Sequence, residues 1–479
     1  MTDPRTNTAE PTARVVPPPH DPLLRADADE LARALRAREI TAVDLLDRVL
    51  ARANEVGAEV NPFAIRLDER ARRAAHESDR RIAADQARPL EGVPIAAKDS
   101  QWMAGIATFS GTTAAPVIPE VTAGMIERVE AAGAVIFAKT TTSEYCYSGI
   151  SWAPGFGHTR NPRGLDRTAG GSSGGSAAQV AAFIGPVGLG GDGGGSIRIP
   201  AAFCGVVGFK PTFGLVTHEP SGPAWKTLIS QGPLTRSVRD ARLLMSVLAG
   251  TDLRDRHSLR LAESPAGRLR VAYSEDLGFA AVDDDVRACY RRALAALENT
   301  GAQLVAVPES MGFTSSVRTW ATIAAVEARW AQTPLLEGEA HVSEQVGNFL
   351  AFGQSFSAEE YVEAQFERER LHARYVTVFA PAEEGGLGAD VLFTPTVGCT
   401  AFDNSLAFPH TIADRVISDP WRDWASFMYD ANLVGMPAMS VPIGVDRAGL
   451  PIGGHLVGAR LFDDTVLRAG AVLEQALTP

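Results

Sequence analysis

Lysine is scarce in this chain: it occurs only at Lys98, Lys139, Lys210 and Lys226, and apart from histidine the other basic residues are arginine. Acidic residues outnumber basic ones by 57 to 45, which leaves a net charge of −12. A nucleic-acid partner therefore has no electrostatic support, and the acidity favours solubility instead. In so lysine-poor a chain, a lysine within an apolar segment cannot be dismissed as ordinary surface charge.

Cysteine is equally scarce, and its positions exclude the common metal and redox motifs. Cys146, Cys204, Cys289 and Cys399 lie far apart and form no CxxC pair. Zinc-binding and thiol-redox motifs therefore lack support. The simplest interpretation is four buried free thiols in a cytoplasmic protein. We expect no metal and no cofactor.

Long apolar runs are absent as well. No segment approaches the roughly 18 consecutive apolar residues of a membrane span, so we predict no membrane partner. The first residues are rich in proline and threonine and lack the basic-then-apolar order of a signal peptide. We predict a loose N-terminal arm over residues 1–20 and a single domain over residues 21–479.

Short apolar runs and helical patterns alternate along the domain, which is typical of α/β proteins. Residues 21–88 are predicted to be helical, and residues from about 89 to 250 hold the densest motifs. The region from about 310 to 388 is helical and less patterned. Strands are predicted at Val93–Ala97 and at Pro451–Val457, and we expect the strands of the two ends to share one sheet.

Two serine-bearing glycine clusters, Gly170–Ser176 and Gly190–Ser196, flank an apolar, alanine-rich segment. Each leads into a predicted helix, Ser173–Phe183 and Ser196–Phe203, so the free N–H groups of helix N-termini lie beside the serines. Glycine at this density is costly unless the backbone turns sharply or approaches a ligand. The clusters therefore indicate a site where backbone N–H groups meet negative charge.

Two interpretations of the clusters fit poorly. A phosphate-binding P-loop needs a lysine directly after the glycines, and none follows; Gly188–Gly193 does match GxGxxG, but that pattern alone is weak. An α/β-hydrolase is the second interpretation, because Ser172 and Ser173 each satisfy GxSxG and His410 and His455 follow later in the chain. However, the apolar strand expected directly before such a serine is missing.

A serine nucleophile with a lysine base is the third interpretation. Lys98 stands at the end of an apolar strand, where burial would lower its pKa enough for it to act as a base. Taken alone, this segment fits an ion pair with Asp99 better. Ser196 stands at a predicted helix start after Gly193, Gly194 and Gly195, whose N–H groups, with that of Ser196, would form an oxyanion hole.

These motifs together resemble the amidase signature family. The resemblance extends from about residue 27 to residue 477, and the motifs that carry it are highly specific. The matching segments are Gly92–Asp99, Gly171–Ser176, Gly188–Pro200, Cys204–Thr212, Gly232–Ser237, Asn432–Pro437, Leu450–Gly453 and Leu456–Gly458.

The resemblance implies an α/β fold with a mixed central β-sheet covered on both faces by helices. It also implies a Ser-cisSer-Lys triad, in which Lys98 is the base, Ser172 is the bridging serine after a cis peptide bond, and Ser196 is the nucleophile that forms an acyl-enzyme. Ser173 is expected to support Lys98 or Ser172 by hydrogen bonding. Asp192 and Arg198 are expected to brace the loop. The implied activity is that of an amidase cleaving a carboxamide C–N bond.

Some residues depart from the family pattern. Gly191 and Gly193 stand where the family often has threonine or another side chain, and we expect their absence to loosen the loop or to open space above Ser196. Ile199 replaces the glutamine that tends to follow in the glutamine-amidotransferase branch. This replacement favours a free-standing hydrolase over the alternative, a protein that resembles the amidotransferase A subunit and works in a complex.

The sequence indicates the substrate only in outline. Trp102, Tyr145, Trp152 and Trp225 are predicted to line an apolar or aromatic pocket, although aromatic residues are more often simply part of the core. The variable region 310–388 is expected to contribute on the substrate side. We predict a small amide or carbamate (urethane) substrate and water, with ester hydrolysis open to the same acyl-enzyme, and by analogy with relatives a homodimer.

Overall fold

A computed structural model of the protein describes residues 14–222, 225–264, 267–333, 342–418 and 424–478. Its strands form mainly where short apolar runs lie between turns. The strands are β1 (Phe63–Arg66), β2 (Pro94–Lys98), β3 (Val135–Thr140), β4 (Trp152–Ala153), β5 (Gly157–His158), β6 (Arg160–Asn161), β7 (Gly164–Thr168), β8 (Val187–Asp192), β9 (Val207–Lys210), β10 (Ser230–Thr235), β11 (Arg270–Tyr273), β12 (Gln303–Ala306), β13 (Val391–Pro395), β14 (Thr411–Ile412), β15 (Arg415–Val416), β16 (Ala438–Val445) and β17 (Pro451–Gly458).

Within the described residues, fourteen α-helices surround these strands, and several begin at a threonine or serine whose side chain caps the first turn. Thr41 accepts a hydrogen bond from the Asp44 backbone N–H, and Ser237 caps the helix that follows it. The helices are α1 (Pro22–Arg25), α2 (Ala28–Arg36), α3 (Ala42–Val60), α4 (Asp68–Ala83), α5 (Gly124–Ala131), α6 (Gly174–Ala181), α7 (Arg198–Cys204), α8 (Val238–Leu248), α9 (Asp284–Asn299), α10 (Val317–Ala331), α11 (Glu344–Gln354), α12 (Ala358–Phe379), α13 (Tyr429–Leu433) and α14 (Asp463–Leu477).

Eleven strands form one sheet in the order β1-β3-β2-β8-β10-β9-β16-β17-β13-β11-β12. The sheet is mixed: β2 is parallel to β3 and β8, whereas β10 is antiparallel to β8 and β9. Strands from the two ends of the chain meet where β9 pairs with β16. The predicted single sheet shared by both ends is therefore confirmed.

Six strands of this sheet are buried at every position, namely β2, β3, β8, β10, β13 and β17. A strand without an exposed side has cover on both faces of its sheet, which here comes from the helices. The α/β class with a helix-covered mixed sheet is thus the observed fold. Among the described helices, none is long and apolar enough to cross a membrane.

Residues 14–20 of the predicted N-terminal arm lie against the body of the protein. Val16 is buried, its N–H donates to the Pro162 carbonyl oxygen, and the Arg52 guanidinium donates to the Pro17 carbonyl oxygen. The prediction of a loose arm therefore fails for residues 14–20. Residues 1–13 lie outside the described residues.

Candidate active site

Lys98 is the last residue of β2, and its side chain is fully buried. Because β2, β3 and β8 are parallel, their carboxyl ends meet at one edge of the sheet, where α/β proteins commonly bind ligands. The Lys98 Nζ lies 2.7 Å from the Ser172 Oγ and 3.5 Å from the Gly191 carbonyl oxygen. The alternative ion pair with Asp99 does not form, since Asp99 pairs with Lys139 at 3.3 Å.

Burial lowers the pKa of Lys98 below its ordinary value, because the ammonium form loses its hydration in the sheet. Nearby Cys146 and Asp192 act in the opposite direction and do not offset this effect. A neutral amine at hydrogen-bond distance from a hydroxyl can accept its proton. The geometry therefore suits proton exchange between Lys98 and Ser172.

Ser172 is held by the backbone of the first glycine cluster. The Gly171–Ser172 peptide bond is cis, as the family resemblance implies. The Ser151 hydroxyl donates to the Ser172 carbonyl oxygen at 3.3 Å and accepts from the Gly174 N–H at 2.9 Å. These contacts fix the turn that leads into α6, and the Ser172 side chain is fully buried.

Ser196 lies two residues before α7 and, together with Ser172, lines a small cavity of about 30 Å³. Its carbonyl oxygen accepts from the Ser173 N–H at 3.1 Å, which ties the two glycine clusters together. Within the described contacts, the backbone N–H groups of Gly193, Gly194 and Ser196 have no protein acceptor. The loop that carries Ser196 thus holds three backbone donors without a described acceptor, and donors of this kind can stabilise a developing oxyanion.

Gly195 does not belong to this set of donors. Its N–H donates to the Asp192 Oδ1 at 2.7 Å, so it is already bonded inside the loop. Gly195 is therefore removed from the four predicted donors, and the N–H groups of Gly193, Gly194 and Ser196 remain as candidates. The physical reason is the tight turn, in which the Asp192 carboxylate folds back on its own loop and Gly195 adopts a φ of 107°.

An ion pair with no exposed surface holds the second glycine cluster. The Arg198 Nε donates to the Asp192 Oδ2 at 2.9 Å, and the Arg198 Nη2 donates to the Asn432 Oδ1 at 2.7 Å. Asn432 in turn donates to the Asp192 carbonyl oxygen at 2.7 Å. Burial alone would raise the pKa of Asp192, but the Arg198 charge and its hydrogen bonds outweigh this effect and hold that pKa below its ordinary range. The contacts brace the loop and leave neither side chain facing the cavity.

Large side chains pack directly against three glycines of the second cluster. A Cβ added to Gly193 would lie 3.0 Å from the Trp225 Cε3, and one added to Gly194 would lie 2.6 Å from the Trp320 Cζ2. At Gly191, an added Cβ would meet Gln231 at 2.9 Å. No space opens at Gly191 and Gly193 themselves, because Gln231 and Trp225 lie where a side chain would be. The other alternative, a looser loop, stays a prediction.

A second and larger cavity of about 340 Å³ adjoins the first. Cys146, Trp225 and Ile229 line both cavities and so form the junction between them. Apolar side chains provide much of the larger wall, and within the described ranges no group of His, Cys, Asp and Glu side chains is placed to hold a metal ion. The apolar lining residues include Trp102, Phe109, Ala114, Ala115, Val117 and Tyr145.

Comparison with known proteins places this arrangement in a family. A family model described as Amidase matches residues 44–467. The protein is a member of the amidase signature family. The family assignment gives its class, an amidohydrolase, and the coverage extends over nearly the whole chain.

Relatives of this amidase signature protein carry different names. It is 32% identical to an amidase of Pseudomonas putida, with 95% of this chain and 97% of that protein covered. It is also 32% identical to the A subunit of a glutamyl-tRNA(Gln) amidotransferase from Lachnospira eligens, with 95% and 98% covered. Among solved structures, a bacterial aryl acylamidase of the amidase signature family superposes with a TM-score of 0.86 at 27% identity, covering 95% and 97%.

The structure brings most of the predicted site residues of this amidase signature protein together. Trp102, Tyr145 and Trp225 line the larger cavity, but Trp152 is not among the described lining residues. Trp152 lies in β4, pairs with β5 and packs on His158, so the hairpin directs it elsewhere. Ser173 exchanges hydrogen bonds with the Gly191 backbone and not with Lys98 or Ser172 directly.

The serine–histidine alternative is not supported. His455 is fully buried behind α7, where it lies 3.0 Å from an Arg198 nitrogen, and His410 is exposed on the surface. Neither histidine is among the described residues that line the Ser172 cavity.

Cys146 was missed, because sequence reasoning treated all four cysteines as buried thiols. It is only partly buried and lines both cavities. A usable signal existed, since the segment after β3 must lie at the same sheet edge as Lys98 after the parallel β2.

Proposed function

We propose that the protein is a free-standing amidohydrolase that cleaves a carboxamide C–N bond through an acyl-enzyme on Ser196. The observation that carries the proposal is the buried Lys98 amine, which lies 2.7 Å from the hydroxyl of Ser172. Ser172 and Ser196 line one cavity, and among the described contacts three backbone N–H groups of the loop that carries Ser196 have no protein acceptor. This arrangement combines a base, a proton relay, a nucleophile and an oxyanion site.

The proposed reaction begins when the Ser196 Oγ attacks the amide carbonyl carbon. The Ser196 proton moves to Ser172, which passes its own proton to neutral Lys98. The N–H groups of Gly193, Gly194 and Ser196 stabilise the oxyanion. Ser172 then protonates the leaving nitrogen while Lys98 returns its proton to Ser172, and the C–N bond breaks. Water attacks the acyl-enzyme by the same route and releases the acid. Carbamates and esters would follow the same steps with a different leaving group.

Single substitutions test these roles directly. In Ser196→Ala, Ser172→Ala and Lys98→Ala, kcat/KM on any hydrolysed amide should fall by on the order of 10⁴-fold or more, because triad members act as a unit. The measurement uses a panel of anilides, aliphatic amides, carbamates and esters. Mass spectrometry after rapid quenching should show the acyl group on Ser196.

Ser176→Ala is the matched control for these variants. Ser176 is a buried serine of the same glycine cluster, but it bonds the Leu189 carbonyl oxygen and Thr140 rather than the cavity residues. It should retain most of the activity. Near-normal turnover in Ser196→Ala or Lys98→Ala would refute the assigned roles.

A component of a larger complex is the second candidate, and the relatives that are amidotransferase A subunits favour it. Two features weigh against it: Ile199 stands where that branch tends to have glutamine, and no described residue lining the larger cavity is an acid, lysine or arginine. Free glutamine carries both an ammonium and a carboxylate, and the described lining of the larger cavity offers neither of them a charged partner. A stoichiometric co-purifying partner, with glutamine hydrolysis only in its presence, would favour the complex. Light scattering of the purified protein would test the proposed homodimer.

A further inference from the structure

We propose that Trp225, seated over Gly193, makes the enzyme select substrates with one flat, uncharged apolar group and a small substituent on the other side of the scissile bond. The inference rests on the proposed amide hydrolysis at Ser196 and specifies its substrate class. It starts from the two cavities of unequal size that meet at the Trp225 side chain.

The position of the Trp225 indole is fixed on several sides. It stacks on Trp320 with ring centroids 5.9 Å apart and an interplanar angle of 26°, and on Phe349 at 6.5 Å and 22°. Tyr147 packs against it at 5.2 Å, and the indole Nε1 donates to the Tyr145 carbonyl oxygen at 3.4 Å. A side chain held in this way acts as a rigid wall at the junction of the two cavities.

Gly193 is the reason why the indole can lie so close to the loop. A Cβ on residue 193 would lie 3.0 Å from the Trp225 Cε3, which is tighter than most real contacts of this kind. A side chain at position 193 would therefore require the indole or the loop to shift by a few tenths of an ångström. The observed position of Trp225 therefore depends on the absence of a side chain at Gly193.

The larger cavity fits an uncharged group. Among its described lining residues, His218 is the one imidazole, and none is Asp, Glu, Lys or Arg. Burial lowers the pKa of His218, so its imidazole is neutral near pH 7. A charged substituent placed there would lose its hydration without gaining a partner.

The smaller cavity restricts the other side of the scissile bond. Its volume of about 30 Å³ leaves room for little more than a small substituent. Large side chains enclose it beyond Ser196, including Ile199, Trp320, Trp424 and Tyr429. A substrate with flat groups on both sides of the carbonyl would clash with the side chains that enclose the smaller cavity.

The test compares five amides: acetanilide, benzamide, 4-acetamidobenzoate, benzanilide and acetamide. In the wild-type enzyme, kcat/KM should be highest for acetanilide or benzamide and at least about tenfold lower for acetamide, charged 4-acetamidobenzoate and benzanilide. Trp225→Ala and Gly193→Ala should each lower the ratio of the best aryl substrate to acetamide by about tenfold. Trp152→Ala, outside the lining, should leave this ratio unchanged.

The double variant Gly193→Ala/Trp225→Ala provides the decisive comparison. If Gly193→Ala acts by displacing the indole, it should have little further effect once Trp225 is alanine. Full additivity would overturn the proposal, as would an unchanged aryl-to-acetamide ratio in Trp225→Ala. Because Gly193→Ala is a small change, it tests the idea even if Trp225→Ala fails to fold.

The same experiment distinguishes a failure of the Trp225 inference from a failure of the proposed function. If hydrolysis depends on Ser196 but the aryl-to-acetamide ratio of kcat/KM is the same in Trp225→Ala, this inference is overturned and the proposed function stands. Hydrolysis that persists in Ser196→Ala would overturn both.

Discussion

The buried amine of Lys98 links the position of one side chain to the pH range in which the site can work. Burial lowers its pKa from the ordinary 10.5. Below that lowered pKa the amine is protonated and cannot accept the Ser172 proton, so kcat/KM should rise with pH and level off once Lys98 is neutral. A pH–rate profile checks this, with circular dichroism to show that the protein stays folded. If kcat/KM did not fall on the acid side of the profile while the protein stayed folded, the proposed role of Lys98 would be contradicted.

The same burial predicts a conflict between stability and activity. Because the pKa of Lys98 is lower in the folded protein, the unfolded chain binds the proton more readily, which destabilises the fold at neutral pH; this penalty disappears as the pH rises past 10.5. Lys98→Met should therefore abolish activity while leaving the free energy of unfolding unchanged or raising it by about 1–2 kcal/mol. Denaturant unfolding at pH 7 and pH 10.5 measures this.

Lys226→Met serves as the control for that comparison. Lys226 is partly exposed and pairs with Glu219, so its replacement should change stability little. A loss of several kcal/mol in Lys98→Met would contradict the expected effect of burial.

Single residues also show what sequence reasoning can reach. The candidate nucleophile Ser196 follows from a local pattern, a glycine-flanked helix start. The local pattern at Lys98 fits an ion pair with Asp99 better, so the proposed role of Lys98, like that of Ser172, comes from the family resemblance. Trp225 and Asn432 acquire their positions from contacts with segments far away in sequence. Such contacts leave no local pattern, so the detailed cavity wall could not be predicted.

A buried ion pair ties the segment after β2 to the neighbouring β3. The Asp99 Oδ2 accepts from the N–H groups of Phe109 and Ser110, while the Lys139 Nζ donates to the Thr108 hydroxyl at 2.6 Å. Thr108, Phe109 and Ser110 line the larger cavity. The pair therefore positions one wall of the proposed substrate site without contacting substrate.

Removing one charge of this ion pair should lower the free energy of unfolding more than removing both charges. Asp99→Asn leaves the Lys139 ammonium buried without its partner and should lower the free energy of unfolding by about 3 kcal/mol and raise KM. The double variant Asp99→Asn/Lys139→Met should recover much of that stability. A double-mutant cycle by denaturant unfolding checks this, and strictly additive losses would show that the two charges are not coupled.

The secondary structure shows a similar limit of prediction. Strands such as β2 and β17 were predicted because their apolar runs are continuous. In contrast, β1 lies within residues 21–88, which the pattern predicts to be helical, and no strand is predicted at β9 or β10. All three form because neighbours from elsewhere in the chain pair with them: β3 beside β1, β16 beside β9 and β8 beside β10. Local propensity does not contain that information.

The candidate site is built from residues in the first half of the chain, but helices from the second half hold one of its loops in place. The proposed catalytic side chains come from residues 98–196, but α10 and α13 close the loop that carries Ser196. The Trp320 Nε1 donates to the Gly193 carbonyl oxygen at 2.8 Å, and the Asn432 Nδ2 donates to Asp192. The variable region 310–388 thus contacts the proposed oxyanion loop directly.

Asn432 offers a test of this long-range support. It is buried and bonds both Asp192 and Arg198, so Asn432→Ala would remove hydrogen bonds from several buried polar groups. Such a loss costs about 1–3 kcal/mol per unsatisfied group, and the loop carrying Ser196 should lose its fixed position. We expect a lower kcat with little change in KM, together with a lower melting temperature.

The matched control is Asn404→Ala, because the Asn404 side chain also donates to a distant backbone carbonyl, that of Leu165, but does so away from the cavity. It should leave kcat unchanged. If Asn432→Ala kept full kcat while losing stability, the C-terminal half would stabilise the fold without positioning Ser196. A fall in kcat measured well below the melting temperature would instead show that the two halves of the sheet are joined for the chemistry as well as for the fold.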